Sequence, residues 1–336
     1  MRRLMAVVFT FVAIFGAGWL SLRRPDIPFD TLETAYASPA SRYLVTGEAE
    51  KIHYRDQGNP DGDVLVMVHG FSASLHTWEP WVRELGEEYR IITLDLPGHG
   101  LTRGFETEDY DAQGFGEAIS HVVDALDVDS FTLIGSSMGG YASWNYALSR
   151  PAQVDRLVLV ASAGWPPSED EQEDTPFVFR ALDNGLVRAV VKDLDNSAMI
   201  RSGLEASFAD QEMVTEDMIQ RYSALNRAPG HRDAILHIIS SRDDRNFATP
   251  RALQTLTMPT LVMHGTLDNL VPFSHGESFA AVIPGAELVA YDGVGHIPQE
   301  EIARRSATDL DAWLDGLDVE AQREVSEDEV LTEGAQ

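Results

Sequence analysis

The sequence predicts an α/β fold: a mostly parallel sheet with helices on both faces and an inserted α-helical cap. Three observations predict it. Short apolar runs alternate with helix-patterned segments of about ten residues or more, the rhythm of parallel strands joined by crossover helices. Some of those runs, such as VLVMVHG at residues 64–70, are apolar almost throughout, as expected of strands covered on both faces. The rhythm stops from about residue 165 to residue 250 and then resumes, which an insertion within one domain explains better than two successive domains.

In chain order, residues 1–24 come first as a candidate membrane anchor. After Arg2 and Arg3, residues 4–22 carry no charge. As a helix this run would reach roughly 28 Å, about the hydrocarbon thickness of a bilayer. A cleaved signal segment has a shorter apolar run followed at once by small residues. Here Trp19, Leu20 and Arg23-Arg24-Pro25 follow, and the Ala35-Tyr36-Ala37 site lies too far downstream. The expectation is an uncleaved transmembrane helix with the bulk of the chain outside the cytoplasm; secretion after cleavage is the alternative. Arginine pairs at both ends weaken any orientation argument from charge.

Residues 25–44 read as a linker. The first part of the core, residues 45–164, holds the strand KIHYRDQG, the strand VLVMVHG, a helix near 78–88, the strand RIITLD, a helix over 114–126, the strand FTLIG, a helix opening at GSSMGG, and the strand RLVLVAS. The cap, residues 165–250, begins with the acidic loop SEDEQEDTP. Phe179, Leu182, Leu186, Val190 and Leu194 then recur at helical spacing, and further helix patterns lie at 218–225 and 234–241. The core resumes over 251–317 with TLVMHG, a helix near 273–282, the strand AELVAYDG and a helix from about 299 to 314. The tail, 318–336, is acidic and poor in aromatics, the composition of a disordered segment.

Composition excludes several classes of function. Among 336 residues, 54 Asp and Glu face 25 Lys and Arg, a formal net charge of -29, and Lys occurs only at Lys51 and Lys192. Such a surface repels phosphate backbones, so no nucleic-acid partner is expected. A high-salt habitat and a simple preference for Arg over Lys both fit this balance. The absence of cysteine removes disulfides, thiol catalysis and Cys-ligated zinc together.

The segment TLIGSSMGGY at 132–141 carries the chemistry. A serine hydroxyl becomes a nucleophile when a base takes its proton and the backbone presents it outward. The strand-to-helix turn that does so needs small residues two positions before and after the serine, giving G-x-S-x-G. Ser137 has Gly135 and Gly139 there, whereas Ser136 has Ile134 and Met138. Ser137 is therefore the candidate nucleophile, with the Met138 N–H placed to face a developing oxyanion. The partners fall in the order Ser, Asp, His: Asp268 in HGTLDNLVP, just past a strand, and His296 in YDGVGHIPQE, after the last strand. Phe71, in the loop after VLVMVHG, would supply the second oxyanion N–H. His69 reads as structural, and Asp95 and His99 in DLPGHGLT as loop scaffolding. His121 and His237 sit in helix patterns without metal-ligand spacing. Alone, Asp268 would be an ordinary helix cap and His296 an ordinary loop histidine; their joint placement favours a triad.

With these residues in hand, the chain resembles the α/β-hydrolase superfamily, in its serine-nucleophile branch, from about residue 45 to residue 314. The motifs are HGF, DLPGHGLT, GSSMGG, GTLDNLVP and GVGHIPQEE. HGFSASLHTWEPW, the anchor and the cap are also similar to membrane-anchored bacterial lipase/esterase-like hydrolases. The resemblance implies hydrolysis of carboxylic esters through an acyl-enzyme, without cofactor or metal. The implied partners are a small ester substrate, including lipidic ones, and the membrane through the N-terminal helix. Two alternatives stay open: a carbon–carbon bond hydrolase of the meta-cleavage-product type, and a catalytically silent binding module. Arg180, Arg188 and Trp165 are the cap-region residues that would recognise a substrate carboxylate or ring, though surface positions suit them equally.

Overall fold

The computed structural model describes residues 16–106, 109–168, 184–241 and 246–333. Eight strands form one sheet: β1 (Ser41–Val45), β2 (Lys51–Gly58), β3 (Val64–Val68), β4 (Arg90–Leu94), β5 (Phe131–Ser136), β6 (Val154–Val160), β7 (Thr260–Gly265) and β8 (Glu287–Tyr291). Their order is β1-β2-β4-β3-β5-β6-β7-β8. The β1–β2 and β2–β4 pairs are antiparallel, and every pair from β4 to β8 is parallel.

Both faces of β3, β4, β5, β6 and β7 are largely buried, and the period of two divides their side chains between two cores, whereas the edge strand β8 is mostly exposed. Val66, Val68, Leu133, Leu157, Leu159 and Val262 join Phe115, Trp144 and Phe279 on one face. Leu65, Met67, Ile134, Val158, Val160, Leu261 and Met263 join Trp78, Trp81 and Tyr291 on the other. This double burial explains why the strand sequences are apolar runs without polar alternation.

Between β6 and β7 the described residues form no sheet strand; they fold into helices Gly185–Val191, Ser197–Ser207, Glu216–Leu225, His231–Ser240 and Pro250–Leu253 and a 3-10 turn at Gln211–Met213. Phe179, Arg180, Leu182 and most of the acidic loop lie outside the described residues. Leu186 and Val190 lie on a helix at the expected spacing, yet they are 80% and 41% exposed.

Two expectations need correction. Residues 25–44, expected as a linker, carry part of the fold: helix Phe29–Tyr36 buries Leu32, and β1 adds an antiparallel strand beside β2. The short amphipathic stretch FDTLETAY hides its one deep contact among polar residues. The final helix, Ala303–Glu333, continues past Asp318, where composition predicts disorder. Its Glu residues with Ala321, Gln322, Arg323 and Leu331 are strong helix formers and outnumber Val319, Val325, Val330, Ser326 and Thr332, so low hydrophobicity does not break the helix.

Of the candidate anchor, residues 16–22 are helical and residues 1–15 lie outside the described residues. No described helix is long and apolar enough to cross a membrane. The chain leaving residue 22 is tied to the cap. The Trp19 indole donates to the Val190 carbonyl at 2.8 Å, and backbone bonds join Arg24 to Asp193 and Asp195 to Leu22. Arg23–Asp193 and Arg24–Asp195 ion pairs at 3.1 Å reinforce the contact.

Candidate active site

β5 runs straight into helix Met138–Ser149, and Ser137 takes up the whole turn at φ 54°, ψ −117°. A left-handed conformation costs a residue with a Cβ about 1–3 kcal/mol and persists only where neighbours enforce it. Here they do. The Ser137 N–H donates to the Val160 carbonyl at 2.9 Å, and the Ser137 carbonyl accepts from Ala163 and Tyr141, each at 3.0 Å. Gly139 is required because a Cβ there would overlap the Val68 carbonyl oxygen and lie 2.6 Å from that of His69. Gly135 packs equally close to the Gly139 carbonyl. Ser136 is 1% exposed, and its hydroxyl accepts from Gln299 Nε2 at 3.2 Å. Of the two serines, Ser137 is the accessible one.

Asp268 and His296 meet behind that turn. The His296 Nδ1–Asp268 Oδ2 distance is 2.7 Å. The other Asp268 oxygen accepts from the Leu270 and Val271 N–H groups at 2.8 and 2.9 Å. A residue that sequence reading passed over completes the set: His264, fully buried at the end of β7, places Nε2 3.0 Å from Asp268 Oδ2. Burial alone would raise the Asp268 pKa. The nearby His296, with hydrogen bonds from His264, His296 and the Val271 N–H, outweighs it and holds the carboxyl well below the usual carboxylate range.

Phe71, in the loop after β3, and Met138, at the start of the helix after Ser137, both line the serine's cavity of about 490 Å³, together with Gly70, Ser137 and His296. Met138 is the first residue of its helix, so its N–H has no intrahelical acceptor. A Cβ at Gly70 would lie 3.1 Å from Ser137 Cβ, which is how closely this loop passes the turn. His69 braces the loop: its Nδ1 lies 2.7 Å from the Gly70 carbonyl, and its Nε2 accepts from the Leu96 N–H at 3.0 Å. This pattern requires the neutral imidazole protonated on Nδ1, in keeping with a pKa lowered by burial. His69 is structural, as expected.

Asp95 is scaffolding too, held by His53 Nδ1 at 2.7 Å and by the Leu75 and Leu101 N–H groups at 2.7 and 2.8 Å. His99 packs its ring 5.2 Å from that of His69 and 6.3 Å from that of Phe71. Burial, with the neighbouring His69, pushes its pKa down to about 3, so it sits neutral against the loop.

The cap is fastened to His296 and its loop. The His296 N–H donates to the Ser207 carbonyl at 2.7 Å. Glu301 accepts from the Gly295 N–H on one oxygen at 2.8 Å, and from the Ala209 and Asp210 N–H groups on the other at 3.1 Å. Leu204 and Ser207 from the cap line the cavity, with Tyr222 and Ile239. Neither Arg188 nor Trp165 lines it; Trp165 packs on Phe279 with ring centroids 5.4 Å apart. His121 and His237 lie on helices away from the cavity, as their pattern suggests. Glu301 stands in the quoted motif GVGHIPQEE, yet only its reach to the cap reveals what it does.

A family profile described as alpha/beta hydrolase fold matches residues 63–302. An uncharacterised hydrolase, YugF, of Bacillus subtilis (strain 168) is 26% identical over 264 residues, 79% of this chain and 93% of that protein. The 2-hydroxy-6-oxo-6-phenylhexa-2,4-dienoate hydrolase of Burkholderia cepacia is 26% identical over 261 residues, covering 75% and 87% of the two chains. Among solved structures, a membrane phospholipase A described as a bacterial virulence factor superposes with a TM-score of 0.70 at 24% identity, over 94% of this chain and 99% of that one.

Proposed function

The chain belongs to the α/β-hydrolase family, and on that premise we propose that it hydrolyses carboxylic esters with Ser137, His296 and Asp268 as its triad. The observation that carries the reading is the left-handed turn at Ser137, which opens onto the same cavity as an Asp268-bound His296. Ser137 Oγ attacks the ester carbonyl as His296 Nε2 takes its proton, and the carbonyl π pair moves onto oxygen. The Phe71 and Met138 N–H groups receive that oxyanion. The intermediate collapses, the C–O bond to the alcohol breaks, and His296 returns the proton to the leaving oxygen. Water, deprotonated by His296, then releases the acid and restores Ser137. Asp268 fixes the imidazole tautomer and stabilises the imidazolium throughout.

A neutral ester suits the cavity better than an anionic dienoate, because none of the described residues lining it is Lys or Arg. The carbon–carbon reading keeps the support of relatives named for that chemistry. Both readings meet in one experiment. Purified protein and its Ser137→Ala variant are compared on nitrophenyl esters and on a 2-hydroxy-6-oxo-dienoate. Serine-dependent turnover of the esters supports the proposal. Serine-dependent turnover of the dienoate alone replaces it with the carbon–carbon reading, and a folded protein inert on both refutes the two together.

We also propose that residues 4–22 anchor the chain in a membrane, with the catalytic domain on the extracytoplasmic side. The support is the uncharged run itself and the exposed Leu20 and Leu22 at its described end. Recovery of the intact chain in a high-salt supernatant without detergent would contradict this.

A further inference from the structure

The cavity lining is mixed. Leu204, Ile239, Leu270, Val271 and Ile297 are apolar, whereas Thr77, Ser136, Tyr222 and Gln299 form a polar wall joined by hydrogen bonds. Behind the polar wall sits Glu300. Its Oε1 accepts from Thr77 Oγ1 at 2.5 Å and from the Tyr222 hydroxyl at 3.4 Å.

The hydrogen-bond inventory of this wall is unbalanced. Thr77 gives its only proton to the Glu300 carboxylate, so towards Gln299 it can act only as an acceptor. That orients the Gln299 amide: Nε2 donates to Thr77 at 3.3 Å and to Ser136 at 3.2 Å. Gln299 Oε1, buried, is then left with no partner among the described residues. The Glu300 carboxylate has about four lone-pair sites, and these two bonds use half of them. Acceptors are in surplus, and the wall's donors are nearly all spent internally. Burial raises the Glu300 pKa, while the bonds from Thr77 and Tyr222 and the nearby Arg221 favour the carboxylate, as would a further donor.

Resting on the ester reading above, we infer that Thr77, Tyr222, Gln299 and Glu300 form a subsite for free hydroxyl groups on the alcohol portion of the substrate. The alcohol belongs on this side because His296 must protonate the leaving oxygen, and Gln299 and Glu300 ride on the short helix Pro298–Glu301 that follows it. The apolar lining residues take the acyl chain. The substrate class is a monoacyl ester of a polyol, and an anionic alcohol portion is repelled by Glu300.

The test compares 2,3-dihydroxypropyl octanoate with propyl octanoate, using the full-length chain in neutral detergent. Each hydroxyl bound to a neutral acceptor changes kcat/KM by about tenfold, and one bound to the carboxylate by more. The wild-type ratio, dihydroxypropyl over propyl, is therefore expected at about thirtyfold or above, falling below about fivefold in Glu300→Gln and Tyr222→Phe. A wild-type ratio near one overturns the subsite, whatever the variants do. A high ratio that survives in both variants also overturns it. If Glu300→Gln does not fold, Tyr222→Phe, which keeps the ring, decides. Turnover of propyl octanoate with no preference removes only the subsite. Turnover of neither ester by folded protein removes the ester reading and the subsite with it.

Discussion

Replacing Glu301 by alanine should separate the cap from His296, the proposed catalytic base. The carboxylate is the acceptor of three backbone N–H groups, Gly295 on the histidine loop and Ala209 and Asp210 on the cap. A hydrogen bond to a charged group contributes about 1.5–3 kcal/mol net. The Asp210 bond is exposed and counts for little, while the other two are partly buried. Taking the lower figure for each gives about 3 kcal/mol lost, shared between global stability and local loosening of the cap. His296 retains its own bond to Ser207, but the loop before it is no longer pinned. A displacement of about 1 Å in a catalytic group can cost on the order of a hundredfold in rate. The expected outcome for Glu301→Ala is a kcat lowered about ten- to a hundredfold, with KM raised because Leu204 and Ser207 line the cavity. Glu301→Gln keeps one acceptor oxygen and should fall between. Guanidinium unfolding and ester kinetics on the same samples supply both readouts. Wild-type kcat and an unfolding free energy within about 0.5 kcal/mol of wild type in Glu301→Ala would refute the coupling.

Three further variants have defined outcomes. Asp268→Asn should lower kcat by on the order of 10⁴ through loss of tautomer control. Because the folded carboxyl is depressed, its stabilisation is fully present above the ordinary aspartate value near ~3.9 and is lost as pH falls through the folded pKa. The wild-type advantage over Asp268→Asn in unfolding free energy should therefore be larger at neutral pH than in acid; an advantage independent of pH would contradict it. Gly139→Ala should cost about 3 kcal/mol or more and abolish activity, since its Cβ would overlap the Val68 carbonyl. Gly203→Ala, with open space around it in helix Ser197–Ser207, should instead stabilise by about 0.5–1 kcal/mol. Thermal melts of the two variants against wild type check both signs.

The strands, the glycine-framed turn, and the positions of Asp268 and His296 were legible in the sequence because each has a local cause. A strand buried on both faces must be an apolar run. A serine on a tight strand-to-helix turn must have small neighbours, and residues just past parallel strands share one edge of the sheet. Helix Phe29–Tyr36 and β1 were not legible, because a single buried Leu32 and a five-residue edge strand leave too weak a pattern. His264, Glu301 and the Thr77–Gln299–Glu300 network lay beyond local reading for a different reason. What each side chain does there is set by a donor or acceptor elsewhere: four residues away across a turn for His264, about ninety residues away in the cap for Glu301, and over two hundred for Thr77 and Glu300. Sequence by itself determined the fold and singled out Ser137, Asp268 and His296 as candidate reacting groups, because apolar period and backbone sterics act within a few residues. Only the tertiary structure decided which polar groups brace the triad and what faces the substrate, because hydrogen bonds form between whatever atoms the packed chain brings within about 3 Å.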